Sequence, residues 1–392
     1  MRPRRLCMVV HGPFPLGEPR VWQEGRAALT AGFEVDVLAL RRPGEPAREQ
    51  VDGMDVRRVP IQHCREHGLA RTALEYGGFM LAAAAVLTWL APRRRYSVVH
   101  VHNPPDFLVA ATLVPRALGA RLVLDVHDLL SDMFAMRFED AAGRRTFDAA
   151  LAAVERISAA AADAVVTVHG PYRRELERRG VRPDKVIVVM NVVDEAVVPP
   201  PRGAGDEGFR VVYHGTVTPP YGVELLVEAV ADVRARIPGI TLEILGEGDS
   251  LPAVRQLILA RGLGAAATVS NGFLPRAEAL TRVRGASVGI VANLPTRLNR
   301  FSLPTKLFEY IALGVPVVAA DLPTIREHFS GDELTFFAAG DARDLGRALL
   351  DVARDPEAAR GKADAALRRM SDYAWPSSAE RYVELLNRLL VA

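Results

Sequence analysis

Lysine is nearly missing from this chain. Of its 49 basic residues only Lys185, Lys306 and Lys362 are lysines, and the rest are arginines. A GC-rich coding sequence accounts for that bias, and it gives weight to a lysine that persists at a chemically demanding position. Cysteine is scarce as well. Cys7 and Cys64 are too few for a disulfide framework or a zinc site. Neither sign of charge is in excess: 49 basic and 47 acidic residues leave a net +2. Such a balance offers no field for coating nucleic acid, and no nucleic-acid partner is expected. Long hydrophobic runs are absent. The stretch 76–91 holds 16 uncharged residues, short of the roughly 20 that span a bilayer. It reads as a buried or surface-docking helix. The first apolar run, 6–10, is too short for a secretory signal, so a cytoplasmic protein is expected.

What is present is an ordinary globular composition, 49% hydrophobic and 24% charged. At 392 residues the chain suits two domains. Short apolar runs at 6–10, 35–40, 98–102, 122–126, 164–168 and 186–190 read as strands. Helical stretches at 20–31, 69–90, 107–118 and 144–162 alternate with them. The segment 197–208, with three prolines followed by glycines and acids, reads as a linker. Beyond it the alternation restarts, with strands at 210–214, 241–245, 268–271, 288–291 and 315–319. Helices are expected at 222–236, 252–261, 275–283, 305–313 and 342–355, and a closing helix near 377–390. Near-continuous apolar strands separated by helices indicate parallel sheets covered on both faces. The reading is α/β: two doubly wound Rossmann-like domains, 1–196 and 209–376, facing a central cleft. Ligands of such sheets bind outside the carboxyl ends of the strands.

The unusual residues fall on those ends. The loop 11–21, HGPFPLGEPRV, follows the first strand, and Gly12 lets backbone approach a ligand there. HVHNPPD, 100–106, places His100 and His102 on one face of a strand. No third ligand of matched spacing follows, so a metal is not assigned, and His102, Asn103 and Asp106 are taken as bordering the cleft. DVHDLLSD, 125–132, puts His127 between acids at a strand end, where an imidazole can polarise or accept a proton; Asp128 follows it. HGTVTPPYG, 214–222, brings Gly215, Thr216 and Tyr221 to the start of a helix, where amides can meet an anion. LGEGDS, 245–250, with Gly246, is an incomplete dinucleotide fingerprint. There is no Asp-x-Asp to hold a metal-chelated diphosphate. The strongest segment is RFSLPTKLFEYIALGVPVVAAD, 300–321. A turn of Ser302, Leu303 and Pro304 opens a helix at Thr305. Lys306 in its first turn opposes the helix dipole unless an anion lies there. Glu309, three residues on, shares roughly the same face and could accept two hydroxyl hydrogen bonds from a ribose; an ion pair between Lys306 and Glu309 on a solvated face is the alternative.

Taken together, EPRVWQEGRAALTAGFEVDVLAL, HVHNPPDF, LVLDVHDL, HGTVTPPYGVELLVEAV, LPTKLFEYIALGVPVVA and YAWPSSAERYVELLNRLL resemble, in order and spacing, a retaining glycosyltransferase of family 4. The resemblance implies the GT-B fold, with a donor-binding second domain, an acceptor-binding first domain, and the closing helix 377–392 crossing back to the first. It implies transfer of a hexosyl group from a nucleotide diphosphate sugar, UDP-linked in the present reading, to a hydroxyl acceptor, with no cofactor and no metal. Domain closure would exclude water. Front-face attack, with the leaving phosphate taking the acceptor proton, would retain configuration. By resemblance His127 lies at the reacting centre, Glu309 holds the ribose, and the turn 302–306 meets the diphosphate. The family's first Glu of a Glu–seven residues–Glu motif is replaced by Phe301. Its diphosphate-clamping Arg and Lys read Thr216 and Tyr221, so Lys306 with the hydroxyls of Thr216 and Tyr221 is expected to form part of the clamp. A glycan, a lipid-linked sugar or a small natural product could be the acceptor. A lipid-linked one would fit peripheral contact of 76–91 and Arg93, Arg94 and Arg95 with the inner face of the plasma membrane. A GT-B sugar-nucleotide epimerase and a non-catalytic nucleotide-sugar-binding protein are the alternatives.

Overall fold

The computed structural model describes residues 4–15, 17–61, 69–137, 144–194, 198–200, 208–270, 272 and 274–391. Cys64, Asn271 and most of the expected linker 197–208 lie outside them. The chain divides into two units. The first comprises Met1–Asn191 and Pro376–Ala392, the second Val192–Trp375.

The first unit is built on eight strands: β1 (Arg5–Pro13), β2 (Glu34–Leu40), β3 (Arg48–Val51), β4 (Met54–Val59), β5 (Val98–His102), β6 (Arg121–Val126), β7 (Ala164–Thr167) and β8 (Val186–Val188). They lie in the order β3-β4-β2-β1-β5-β6-β7-β8, all parallel except β3 against β4. The sheet switches direction of growth at β1, flanked by β2 and β5. That switch point is where an open α/β sheet offers a crevice. Strands β5 and β7 are buried along their whole length, including His100, His102 and Thr167, as strands of a sheet covered on both faces are. Helix Trp375–Val391 belongs to this unit from Pro376 onward. Its Tyr382, Leu385 and Leu386 are buried, Tyr382 Oη meets His100 Nδ1 at 2.9 Å, and Ser378 Oγ accepts from the Met190 amide.

The second unit has six parallel strands: β9 (Arg210–His214), β10 (Thr241–Leu245), β11 (Ala267–Val269), β12 (Val288–Val291), β13 (Val317–Ala320) and β14 (Thr335–Phe337). Their order is β11-β10-β9-β12-β13-β14, with the switch point between β9 and β12.

Three local departures have physical causes. The hairpin β3–β4 was not anticipated. It turns on Asp52 and Gly53, both at positive φ, the conformation a two-residue hairpin turn demands. The single helix expected over 107–118 is instead a 3-10 helix Asp106–Thr112 followed by helix Leu113–Ala117. Pro115 has no amide hydrogen to continue a longer α-helix. Strand β13 starts at Val317 rather than 315, after Pro316, whose carbonyl still accepts from the Gly289 amide.

Candidate active site

In the second unit the loops after β9, β10 and β12 interlock. The amides of Gly215 and Val217 donate to the carbonyls of Leu245 and Glu247, extending the ladder beyond the strands. Gly246 is pressed against this loop, and a Cβ there would collide with the Gly215 carbonyl oxygen. Gly222, the residue before helix Val223–Val233, adopts φ +64°, and a Cβ on it would strike the Ala292 carbonyl oxygen. From the β12 side, buried Asn299 donates through Nδ2 to Pro220 O at 2.7 Å and Leu294 O at 2.9 Å. Asn293 Nδ2 donates to Asn299 Oδ1 and to Ser302 Oγ. Ser302 is thereby fixed, and Ser302, Leu303, Pro304 and Thr305 form the half-buried approach to helix Thr305–Ala312.

Lys306 points from the first turn of that helix into the loop after β9. A Cβ on Gly215 would lie 3.3 Å from both Lys306 Cε and Nζ. The ammonium lies 3.8 Å from the ring centroid of Tyr213 and 5.3 Å from that of Tyr221. Tyr221 thus lies with its ring toward Lys306, beside the expected diphosphate position. Thr216 is half-buried, and its carbonyl accepts from Tyr213 Oη. Lys306 is 7% exposed, yet its Nζ has no hydrogen-bond partner among the described residues. Burial lowers its pKa to about 7, with Glu309 opposing the shift.

Glu309 is buried too, and it is not a solvated partner for Lys306. Arg276 donates to its Oε1 through Nε at 3.1 Å and stands 3.0 Å away through a terminal nitrogen. His214 Nε2 is 3.4 Å from Oε2. Burial pushes the Glu309 carboxyl up and the Arg276 guanidinium pulls it back. Burial, Lys306 and Arg276 drive His214 down to about 3, so its imidazole is neutral.

In the first unit the charged centre is Asp125 at the end of β6. Arg20 donates to it twice, at 2.6 and 3.2 Å, and also to Val189 O. His102 Nδ1 meets Asp125 Oδ2 at 3.1 Å, and His127 Nδ1 stands 3.9 Å from Oδ1. His127 remains 18% exposed. Burial alone would lower its pKa, but Asp125, Asp128 and Glu18 raise it to about 9, so the ring is an imidazolium at neutral pH. Asp128 is half-buried. Asn103 holds the pair from beneath: its Oδ1 accepts from the His127 and Asp128 amides, and its Nδ2 donates to Asp128 O at 2.6 Å and to Asp106.

Residues 17–191 match the glycosyl transferase 4-like domain, and residues 208–355 match the glycosyl transferases group 1. Glycogen synthase of Mycobacterium tuberculosis (strain CDC 1551 / Oshkosh) is 28% identical over 371 residues, 90% of this chain and 86% of the relative. The chain belongs to the group 1, family 4 glycosyltransferases. Among solved structures, sucrose-phosphate synthase from Thermosynechococcus elongatus superposes with a TM-score of 0.79 at 18% identity, over 99% of each chain. Anabaena HepE in complex with UDP-glucose superposes at 0.71 and 14% identity, over 98% of this chain and 99% of that one. Both likenesses fix the fold as GT-B.

For this glycosyltransferase, the expected residues divide by depth. Lys306, Glu309, Gly215, Gly246, Thr216, Tyr221 and the 302–305 turn converge at one end of the second sheet. His127 and Asp128 are partly open at the end of β6. His102, Asn103 and Asp106 are 0–1% exposed and engaged inside the unit. They support the His127 loop rather than border an open face, which revises their placement. Glu24, His100, His102 and Asp125 offer ligand atoms within 4.8 Å of one another, a grouping the missing third ligand had argued against. Arg20 already lies against Glu24 and Asp125 in that group and supplies the positive charge a metal would bring.

Four contributors to the site went unrecognised in the sequence. Arg276 opens helix Arg276–Val283 and Asn299 opens the 3-10 helix Asn299–Phe301, and neither belongs to a motif. Arg20 follows Pro19 at a helix start, and its i,i+4 spacing to Glu24 was the available signal. Glu18 packs its carboxyl over Gly12, where a Cβ would collide with Oε1. Burial raises Glu18 to about 7, with His127 opposing and Asp128 and Asp125 adding to the rise.

Proposed function

We propose that this retaining glycosyltransferase, which draws on a nucleotide sugar, transfers a hexosyl group from a UDP-linked donor to a hydroxyl acceptor. The observation that carries the reading is the buried Lys306 ammonium, unpartnered and set beside the helix N-terminus and the Gly215 loop. Such a group is costly unless an anion completes it. A diphosphate supplies that anion, and Glu309, braced by Arg276, stands on the same helix to receive ribose hydroxyls. The binding of UDP-glucose by Anabaena HepE, of the same fold, supports the choice of nucleotide.

In the transfer, the bond from the anomeric carbon to the diphosphate oxygen breaks and one to the acceptor oxygen forms. The acceptor proton passes to the leaving phosphate. Negative charge grows on the diphosphate, where Lys306 and the oriented amides of the 302–306 turn stabilise it. No step requires a metal. His127 and Asp128, with Glu18 beside them, orient the sugar or acceptor hydroxyl. Gly12 gives Glu18 room to do so.

A panel of UDP-, GDP- and ADP-sugars, read by nucleoside diphosphate release, tests the assignment. Release from a UDP-hexose in the wild type, reduced at least tenfold in Lys306→Ala, is expected. Turnover only with another nucleotide would overturn the UDP assignment, and full turnover by Lys306→Ala would remove the lysine from the site.

A further inference from the structure

Helix Leu69–Arg94 presents two unlike apolar faces. Tyr76, Phe79, Ala83, Leu87 and Leu90 are buried in the first unit. The opposite face carries Leu74, 75% exposed, Leu81, 66%, and Trp89, 53%. Spacings of seven and eight residues align the three on one stripe, with exposed Ala85 between Leu81 and Trp89. No charged residue interrupts 76–92. The adjoining helix Leu113–Ala117 packs against this one, and exposed Leu113 and Leu118 lie on it and at its end.

The stripe ends in positive charge. Arg93 lies 4.7 Å from the Trp89 ring centroid and donates to Trp89 O, and Arg95 is exposed just beyond. Neither forms an ion pair among the described residues. Arg94 is different: it is committed to Asp55 at 2.6 Å and Asp36 at 3.4 Å. The basic triplet thus divides into one internal anchor and two outward cations.

Although this helix is long and apolar enough to cross a bilayer, its inner face is core, so it cannot leave the fold to span one. We propose that it lies flat on an anionic lipid surface. Leu74, Leu81 and Trp89 would enter the acyl boundary, and Arg93 and Arg95 would meet phosphate headgroups. Charge selects this occupant over a second copy of the chain: the stripe offers outward cations, and the one carboxylate of the helix, Glu75, is turned inward against His11 and cannot receive them. The surface argument makes no use of the donor site and stands or falls separately from it.

Co-sedimentation of the full chain with phosphatidylcholine vesicles, with and without phosphatidylglycerol, tests the proposal. Partition to the anionic vesicles, weakening as salt rises, is expected. Leu81→Glu with Trp89→Glu should lower it about a hundredfold, and Arg93→Glu with Arg95→Glu about thirtyfold. Both variants should keep the wild-type melting temperature in the absence of vesicles, which guards against misfolding. Three outcomes would overturn the proposal: no partition at low salt, partition indifferent to either pair of changes, or a dimer in sedimentation velocity that Leu81→Glu dissociates.

Discussion

At the scale of the residue, Lys306 makes the sharpest claim. Its folded pKa of about 7 is below the usual lysine value of 10.5, because burial penalises the ammonium. A bound diphosphate stabilises the charged form. Below pH 7 the proton is already in place, and above it binding must take one up. UDP affinity should therefore fall between pH 7.5 and 9 by up to about tenfold per pH unit, in a range where the diphosphate itself is fully ionised. Isothermal titration in buffers of different ionisation enthalpy would report the proton uptake. Lys306→Arg, permanently charged, should remove that slope whatever it does to absolute affinity. Lys306 was legible in the sequence because lysine is so rare and a cation opposes the dipole there. Arg276 was not, because its meaning comes from Glu309, 33 residues away, and only the folded chain brings the two together.

At the scale of the element, loops are held by single side chains and by glycines that cannot be exchanged. Asn103 makes three side-chain hydrogen bonds that fix the His127–Asp128 backbone and a fourth to Asp106. Asn103→Ala should cut kcat about ten- to a hundredfold, with UDP binding unchanged when measured by thermal shift. Loss of the first unit's calorimetric transition would instead mean that the unit had unfolded. Gly222→Ala should cost at least about 1–2 kcal/mol for the left-handed backbone, plus the clash with Ala292. Calorimetry should show a drop in the melting temperature of the second unit of at least about 2–4 °C. Helix Thr305–Ala312 and the buried strands could be read because periodicity and a closing Gly314 act locally. The hairpin β3–β4 could not be read from apolar runs, because its short strands bear arginines and acids: Arg48 pairs with Asp55. Its Asp52–Gly53 turn was the signal that a search for parallel strands passes over. The depth of His102 and Asn103 also escaped the sequence. Polar residues near a strand end read alike whether they point to solvent or into a buried charge network.

At the scale of the whole molecule, the α/β alternation showed two sheets. The helix Trp375–Val391 was visible as an amphipathic stretch, and its docking on the first unit came from family resemblance, not periodicity. Deleting 376–392 removes buried Tyr382, Leu385, Leu386 and Leu389. At about 1.5–3 kcal/mol for each large side chain, that loss rivals the stability of a domain. Calorimetry of the truncated chain should show the first unit's transition lost or greatly lowered and the second unit's retained. A shift of both together would mean that the helix serves the second unit as well.

The contact between His100 and Tyr382 joins residues 282 positions apart. On the ribosome, the first unit begins to emerge first but lacks the helix Trp375–Val391 until the whole of the second unit has been made. The second unit, an uninterrupted segment, has all its residues earlier. Vectorial synthesis thus reverses the usual order in which domains mature: the part begun second is finished first. The buried polar group around Arg20, Glu24 and Asp125 must wait for the second unit to be synthesised before Tyr382 closes over it.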